Sequence, residues 1–477
     1  MLYSFALFLL FKNALNFRLF CSIIPVRGER EFPLHLSFLV LFSALYWTAF
    51  PSLVLLFGGF RLPAANLFPI ALALFFCVIL LYDLTLRRRV TYRNLVYNRG
   101  RIALFLIAIL LCGAFFAIRR ERYYVQPYIN TVPRLPHRAT EIFYDEDSGV
   151  FTMRTTYDDF RILHLTDIHL GGSLFSYRKD ILALKACFSL ISATQPDLVI
   201  VTGDLSLPLG IMSMSFNNSA PVYAFASFMR NIGIPWAFTY GNHDTESFAS
   251  MNKKDLDALF RALSFKTSGT LLYPYRQPAI TGRNNQLIRI ENEDGTLRQA
   301  LFLLDSNAYT GKGLNDYDYI RDDQVAWYRE EVLRLAAEEG KNPPSLAFFH
   351  IPLREYRTAY DLYLQGSDEV TYFFGVNDEK MIDKVCCSKY PSKLFDTMVE
   401  LGSTTGTFCG HDHYNNISLL YRGIRLTYGM SIDYLAMPGI EKDTAQRGGE
   451  VITLRPNGSW EAEQVPLASL AEQGAPS

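Results

Sequence analysis

Leu198-Val199-Ile200-Val201-Thr202-Gly203-Asp204 is a run of five apolar or β-branched residues that stops on a glycine and a carboxylate. Such a run is too short for an ordinary helix and too apolar for a strand with one wet face, so it reads as a strand buried on both sides. The pattern recurs along the chain. Residues 160–166 run into Asp167-Ile168-His169, and 235–240 into Gly241-Asn242-His243-Asp244. Residues 345–349 end on His350, and 405–409 on Gly410-His411-Asp412-His413. A further run lies at 300–304. Between these runs, Tyr177–Thr194, 222–232, 253–263, 321–339 and 392–401 have helical spacing. Alternation of this kind predicts an α/β domain, and Arg422-Gly423 between Ser418–Tyr421 and Ile424–Tyr428 predicts a hairpin near its end.

In α/β folds ligands bind beyond the carboxyl ends of the strands, where loops from several strands meet. The five strand-end segments would therefore bring carboxylates, an amide and imidazoles to one place. Five of the eight histidines fall in these segments. Oxygen and imidazole donors suit divalent transition metals. Asp-x-His offers both donor types from one turn, and a carboxylate at a Gly-Asp turn can bridge two cations with its two oxygens. Glycines at 203, 241 and 410 permit sharp turns close to such ions. Taken singly, Gly-Asp is a turn signal, Asp-x-His a capped turn and His350 a core histidine. Five together, each at a strand end, point to a dinuclear centre of the kind used for displacement at phosphorus.

The ordered set Asp167-x-His169, Gly203-Asp204, Gly241-Asn242-His243-Asp244, His350 and Gly410-His411-x-His413 resembles the calcineurin-like metallophosphoesterase superfamily over residues 160–430. Phe349-His350-Ile351-Pro352-Leu353-x-Glu355-Tyr356, Asn415 and the segment 317–327 resemble its purple-acid-phosphatase-like, membrane-anchored branch. The resemblance implies a four-layer αββα sandwich. It also implies one metal on Asp167, His169, Asp204 and His413, and a second on Asp204, Asn242, His350 and His411. His243 would be the acid or charge stabiliser, oriented by Asp244. Purple enzymes carry a tyrosine three residues after the bridging Asp; here that position is Leu207, so two divalent ions such as Mn, Fe(II) or Zn are expected instead of a purple ferric centre. Tyr309, Arg354, Asn415 and Asn416 are candidates for the pocket wall, and 355–389 for a cap over it.

The first third of the chain differs in kind. Residues 36–60 and 62–82 carry no charge, and 102–118 is a shorter apolar run. A membrane crossing takes roughly 20 apolar residues, so an α-helical transmembrane region of about three helices is expected over 36–118. The segment 1–35 reads as an interfacial helix or a fourth, poor span, 119–157 as a juxtamembrane linker, 158–460 as the catalytic domain and 461–477 as a tail. Lys and Arg flanking these runs divide ten against four, which predicts a lipid-bound chain with an extracytoplasmic catalytic domain. Adjacent Cys386 and Cys387 could pair there. A net charge of -1 and no basic stripe argue against a standing nucleic-acid partner.

Phosphate-ester hydrolysis is the activity these residues predict, with the phosphate ester as partner. Phospholipid or nucleotide diester cleavage at the same site is the first alternative. A catalytically silent metal-binding scaffold is the second, and the complete donor set disfavours it.

Overall fold

The computed structural model describes residues 127–472, apart from 174, 210–212, 214, 248, 312–315, 381–383, 438 and 441–446. The chain divides into two units, Met1–Arg120 and Glu121–Ser477, and the described residues belong to the second. The segment 1–35 and the three apolar runs lie outside them. No helix among the described residues is long and apolar enough to cross a membrane.

The described strands form two sheets. The smaller runs in the order β14 (Trp460–Pro466), β13 (Gly448–Leu454), β3 (Phe160–Leu165), β4 (Leu198–Thr202), β5 (Trp236–Thr239). The larger runs β1 (Glu141–Tyr144), β2 (Phe151–Arg154), β6 (Gln286–Glu291), β7 (Leu297–Leu303), β8 (Ser345–Phe348), β10 (Thr404–Cys409), β12 (Ile424–Tyr428), β11 (Ser418–Tyr421), β9 (Val370–Phe374). The helices are α1 (Tyr177–Thr194), α2 (Ser219–Ile232), α3 (Lys253–Ala262), α4 (Phe265–Ser268), α5 (Asp322–Glu339), α6 (Arg354–Leu364), α7 (Leu394–Leu401) and α8 (Leu467–Glu472).

Side-chain alternation builds the layers, because successive strand residues point to opposite faces. Leu163, Leu165, Val199 and Val201 pack toward Leu184, Leu190, Phe225 and Phe260 of α1, α2 and α3. Their neighbours Phe160, Ile162, Leu198 and Ile200 pack instead against Leu301, Leu303, Leu346 and Phe348 of the other sheet. Ala300, Phe302 and Ala347 in turn face Tyr328, Tyr356 and Phe395 of α5, α6 and α7. The result is an αββα sandwich. Ile200 sits between the sheets with no exposed surface, where truncation to Ala would cost about 2–5 kcal/mol.

Three expectations change. The segment 119–157 is more than a linker: it supplies β1 and β2, and Arg138 clamps it to the body through Asp159 at 2.6 Å and Asp197. The segment 461–477 likewise contributes most of β14, and then α8. The candidate cap, 355–389, is tied into the large-sheet layer through its first helix and its strand. Tyr356, Ala359 and Tyr360 of α6 pack on the large sheet, and β9 becomes that sheet's edge.

Helix α2 starts at Ser219, three residues earlier than spacing predicts. Proline is tolerated in a first turn, and Asn217 Oδ1 accepts the N–H of Ser219 at 2.9 Å.

Register then places the chemistry. In the small sheet β3, β4 and β5 are parallel, with Leu165 beside Val201 and Val201 beside Phe238. In the large sheet β7, β8, β10 and β12 are parallel, with Phe348 beside both Leu303 and Phe408, and Cys409 beside Tyr428. Strand ends of each sheet thus fall level.

Candidate metal centre

The loops leaving these strands are tightly wound. Asp167, His169, Asp204 and His411 have φ of 50°, 52°, 49° and 80°, in the left-handed region that side chains seldom occupy. Main-chain bonds hold the loops together, from Asp167 N to Gly203 O at 3.3 Å and from His169 N to Asp204 O at 2.9 Å. Asp244 is the clip. Its two oxygens accept the N–H groups of Asp204, Ser206 and Gly241, each at 2.9 Å. Gly241 must be glycine for a spatial reason: a Cβ there would lie 2.1 Å from Asp204 Oδ1.

All seven expected donor residues come together. Asp167, His169 and His413 form one group whose ligand atoms lie within 4.8 Å of one another, and Asp204, His350 and His411 form a second. A third combination, His169, Asp204 and His243, overlaps the first two. Asp204 Oδ2 lies 3.3 Å from His169 Nε2 and 3.0 Å from His350 Nε2, so one oxygen faces imidazoles of both groups. Its other oxygen accepts the His243 N–H at 2.8 Å. Asn242 Oδ1 approaches His350 Nε2 at 3.1 Å and completes the second group.

The donor set fits a pair of divalent cations. His350 Nδ1 donates to the Thr202 carbonyl at 2.8 Å, which leaves Nε2 as the unprotonated donor in the neutral ring. His411 Nε2 is buried and has no hydrogen-bond partner among the described residues. A buried orphan nitrogen is costly unless something binds it.

Electrostatics follow from this crowding. Burial opposes charge on His169, but Asp433 and Asp204 lift its imidazole to about 9. Asp204 does the same for His350, also to about 9. His411, with burial and His350 both against a second positive charge, falls to about 3. Burial would raise Asp167, yet His413 and His350 hold it down to about 2.

His243 stands at the rim, with its side chain 23% exposed. It was expected to be oriented by Asp244, whose oxygens are instead occupied by the loop amides. Its partner is Glu246: Nδ1 and Oε1 are 2.7 Å apart, and the carboxylate can only accept. The Tyr309 hydroxyl also donates to Glu246 Oε1, at 3.2 Å, and accepts from Asn242 Nδ2 at 2.8 Å. Tyr309 therefore does line the site, and its ring stacks on Tyr317, whose own edge meets His411. Asn415 and Asn416 hold loop amides of Ile417 and Val376, and Arg354 is an exposed residue heading α6. No disulfide joins Cys386 to Cys387 among the described residues.

Two residues go unnoticed in the motifs. Glu246 has a weak signal, three positions beyond His243. Asp433 lies 3.2 Å from His169 Nδ1 and 3.2 Å from His413 Nδ1. Its signal is fainter than that of the donor acids, a carboxylate set some way beyond a buried strand, here β12 (Ile424–Tyr428).

The sequence profile of the calcineurin-like phosphoesterase family matches residues 160–415. The chain is 28% identical over 309 residues to an Arabidopsis thaliana protein named "Probable inactive purple acid phosphatase 28", a match covering 58% of this chain and 71% of that one. It is 28% identical over 288 residues to "Phosphatase DCR2" of Saccharomyces cerevisiae, covering 57% of this chain and 47% of the yeast protein. Among solved structures it is similar to a dimetal phosphatase from Danio rerio, with a TM-score of 0.40 and 10% identity, over 64% of this chain and 98% of that one.

Proposed function

Since the chain belongs to the calcineurin-like phosphoesterase family and is thereby a phosphoric ester hydrolase, we propose that it cleaves phosphate mono- or diesters at a dinuclear centre. Asp167, His169, Asp204 and His413 would hold one cation, and Asp204, Asn242, His350 and His411 the other. The single observation that carries this is Asp204, whose Oδ2 touches an imidazole of each donor group. Bound divalent ions, Mn, Fe(II) or Zn, would supply Lewis-acid polarisation of the phosphoryl group and lower the pKa of the attacking water.

The protein's own side chains do the rest. Glu246 accepts the hydrogen bond from His243 Nδ1–H, which leaves Nε2 to meet a substrate oxygen, and the imidazolium form carries a second proton there. From the rim, Nε2–H can protonate a departing alkoxide and stabilise charge on the phosphoryl oxygens. The Tyr309 hydroxyl keeps Glu246 in place and joins it to the Asn242 amide, so acid and donor move as one unit. The word "inactive" belongs to the name of the Arabidopsis relative; here every donor and the His243–Glu246 pair are present.

Membrane attachment is part of the proposal, supported by the three charge-free runs. It places the catalytic domain outside the cytoplasm, on the Lys and Arg count. Two experiments test these points. Full-length purified chain is loaded in turn with Mn, Fe(II) and Zn and assayed against alkyl, aryl, nucleotide and phospholipid esters. Turnover that needs two ions per chain supports the proposal; two bound ions with no ester cleaved would sink the activity. Recovery of the full chain in a detergent-free soluble fraction would sink the attachment.

A further inference from the structure

We propose that Asp433 is a positioning residue that holds both imidazoles of the first metal group, an assignment resting on the two-cation reading of the site. His169 follows β3 of the small sheet and His413 follows β10 of the large one, so the two rings arrive from different sheets. They meet with centroids 4.9 Å apart. Asp433 Oδ1 lies 3.2 Å from His169 Nδ1, and Oδ2 lies 3.2 Å from His413 Nδ1. In each ring the opposite nitrogen, Nε2, turns to the donor carboxylates. His169 Nε2 is 3.3 Å from Asp204 Oδ2, and His413 Nε2 is 3.3 Å from Asp167 Oδ1.

Both Asp433 contacts are at ion-pair distance, with neither Nδ1 in an aligned hydrogen bond among the described residues; a carboxylate can only accept, so Asp433 favours Nδ1–H in both rings and turns both Nε2 lone pairs toward one point. The carboxylate is itself immobilised. It is fully buried, Oδ1 accepts the N–H groups of Leu435 and Ala436 at 2.8 Å, and Oδ2 accepts that of Met437 at 2.6 Å. Arg447 secures the loop by donating to the Asp433 carbonyl from Nε at 3.0 Å and Nη2 at 2.8 Å. Ser431 pairs with Thr166, which sets this loop in register beside Asp167. One acid thus spans two ligands that arrive from different sheets.

Asp433→Asn offers a sharp test. Its single oxygen can accept from only one ring, and its amide N–H presents a donor to the other, favouring the tautomer that blocks Nε2. Partners of this kind typically change metal affinity about 10- to 100-fold. Zn titration of full-length Asp433→Asn should show one ion weakened by that factor and the other, on Asp204, Asn242, His350 and His411, bound as in the native chain. Equal weakening of both ions, or of neither, would overturn the assignment. Should the variant fail to fold, the native protein still decides: with Zn bound and histidine ¹⁵N-labelled, His169 and His413 should both show Nδ1–H and Nε2 ligation. Ligation through Nδ1 in either ring overturns the proposal. Both readouts concern Zn alone, so a native chain that binds two ions as described yet cleaves no ester would refute the activity and leave Asp433 assigned.

Discussion

His243 Nδ1 and Glu246 Oε1 stand 2.7 Å apart, and Asp244 takes no part in that contact. If His243 supplies a proton to the leaving group, the benefit depends on the ester. Nitrophenolate departs with little help, whereas an alkoxide needs protonation in the transition state. General acids contribute ~10²–10⁴-fold. His243→Gln should therefore slow alkyl phosphate esters by that range, and nitrophenyl esters far less, with metal content unchanged. Glu246→Gln should slow the same substrates in the same order but by a smaller factor. Equal slowing of both ester types, measured with metals intact, would make His243 an electrostatic clamp.

Asp204 contacts both donor groups and should be indispensable to both. Asp204→Ala is expected to abolish turnover and to carry fewer than two ions per chain by elemental analysis. Full occupancy by two ions would show that neither group depends on it.

Gly241→Ala adds one methyl group at a point 2.1 Å from Asp204 Oδ1. The loop must shift to admit it. Displacements near 1 Å at a catalytic group can cost about 10²-fold in rate, so activity should fall at least that far. Overpacking typically costs ~1–3 kcal/mol, which predicts a modest drop in melting temperature. Native rates in this variant would show that the close approach is not needed.

Metal removal should make stability depend on pH. In the metal-free protein His169 and His350 titrate near 9, above the ordinary 6.5, because Asp433 and Asp204 stabilise their charged forms against burial. A raised imidazole binds its proton more tightly folded than unfolded. Its contribution is complete below about 6.5 and disappears as pH climbs through 9. The metal-free melting temperature should fall across that window, more steeply than that of Zn-loaded protein. Ion binding should also release protons at pH 7, detectable by calorimetry in buffers of different ionisation heat. A flat melting profile would contradict the charged pairs.

Buried central elements are the legible part of this chain. Leu198–Thr202 and Tyr177–Thr194 follow directly from apolar runs and helical spacing, because both are dictated by burial. The edge strands escape for the same reason. Glu141–Tyr144 and Trp460–Pro466 alternate between half-buried and exposed positions, and carry no apolar run. Donor residues are visible because each stands directly at a strand end. Their supporting acids are not: Glu246 depends on one turn of loop, and Asp433 on two sheets meeting. Asp244 shows the opposite error, since adjacency to His243 suggests a partnership that the amides of Asp204, Ser206 and Gly241 claim first.

The left-handed backbone at Asp167, His169, Asp204 and His411 carries a consequence for supply of the ion. Each such conformation costs on the order of 1–3 kcal/mol, and it is the surrounding loop amides, the Asp244 clip and the sheets that meet this cost. A cup shaped by the polypeptide does not need an ion to nucleate it, unlike small domains that assemble only around zinc. Apoprotein prepared by chelation should thus stay folded and take up a different ion by simple exchange. Which metal the protein carries would then follow cellular abundance and exchange rate, so preparations from differently fed cultures should differ in metal while sharing one fold.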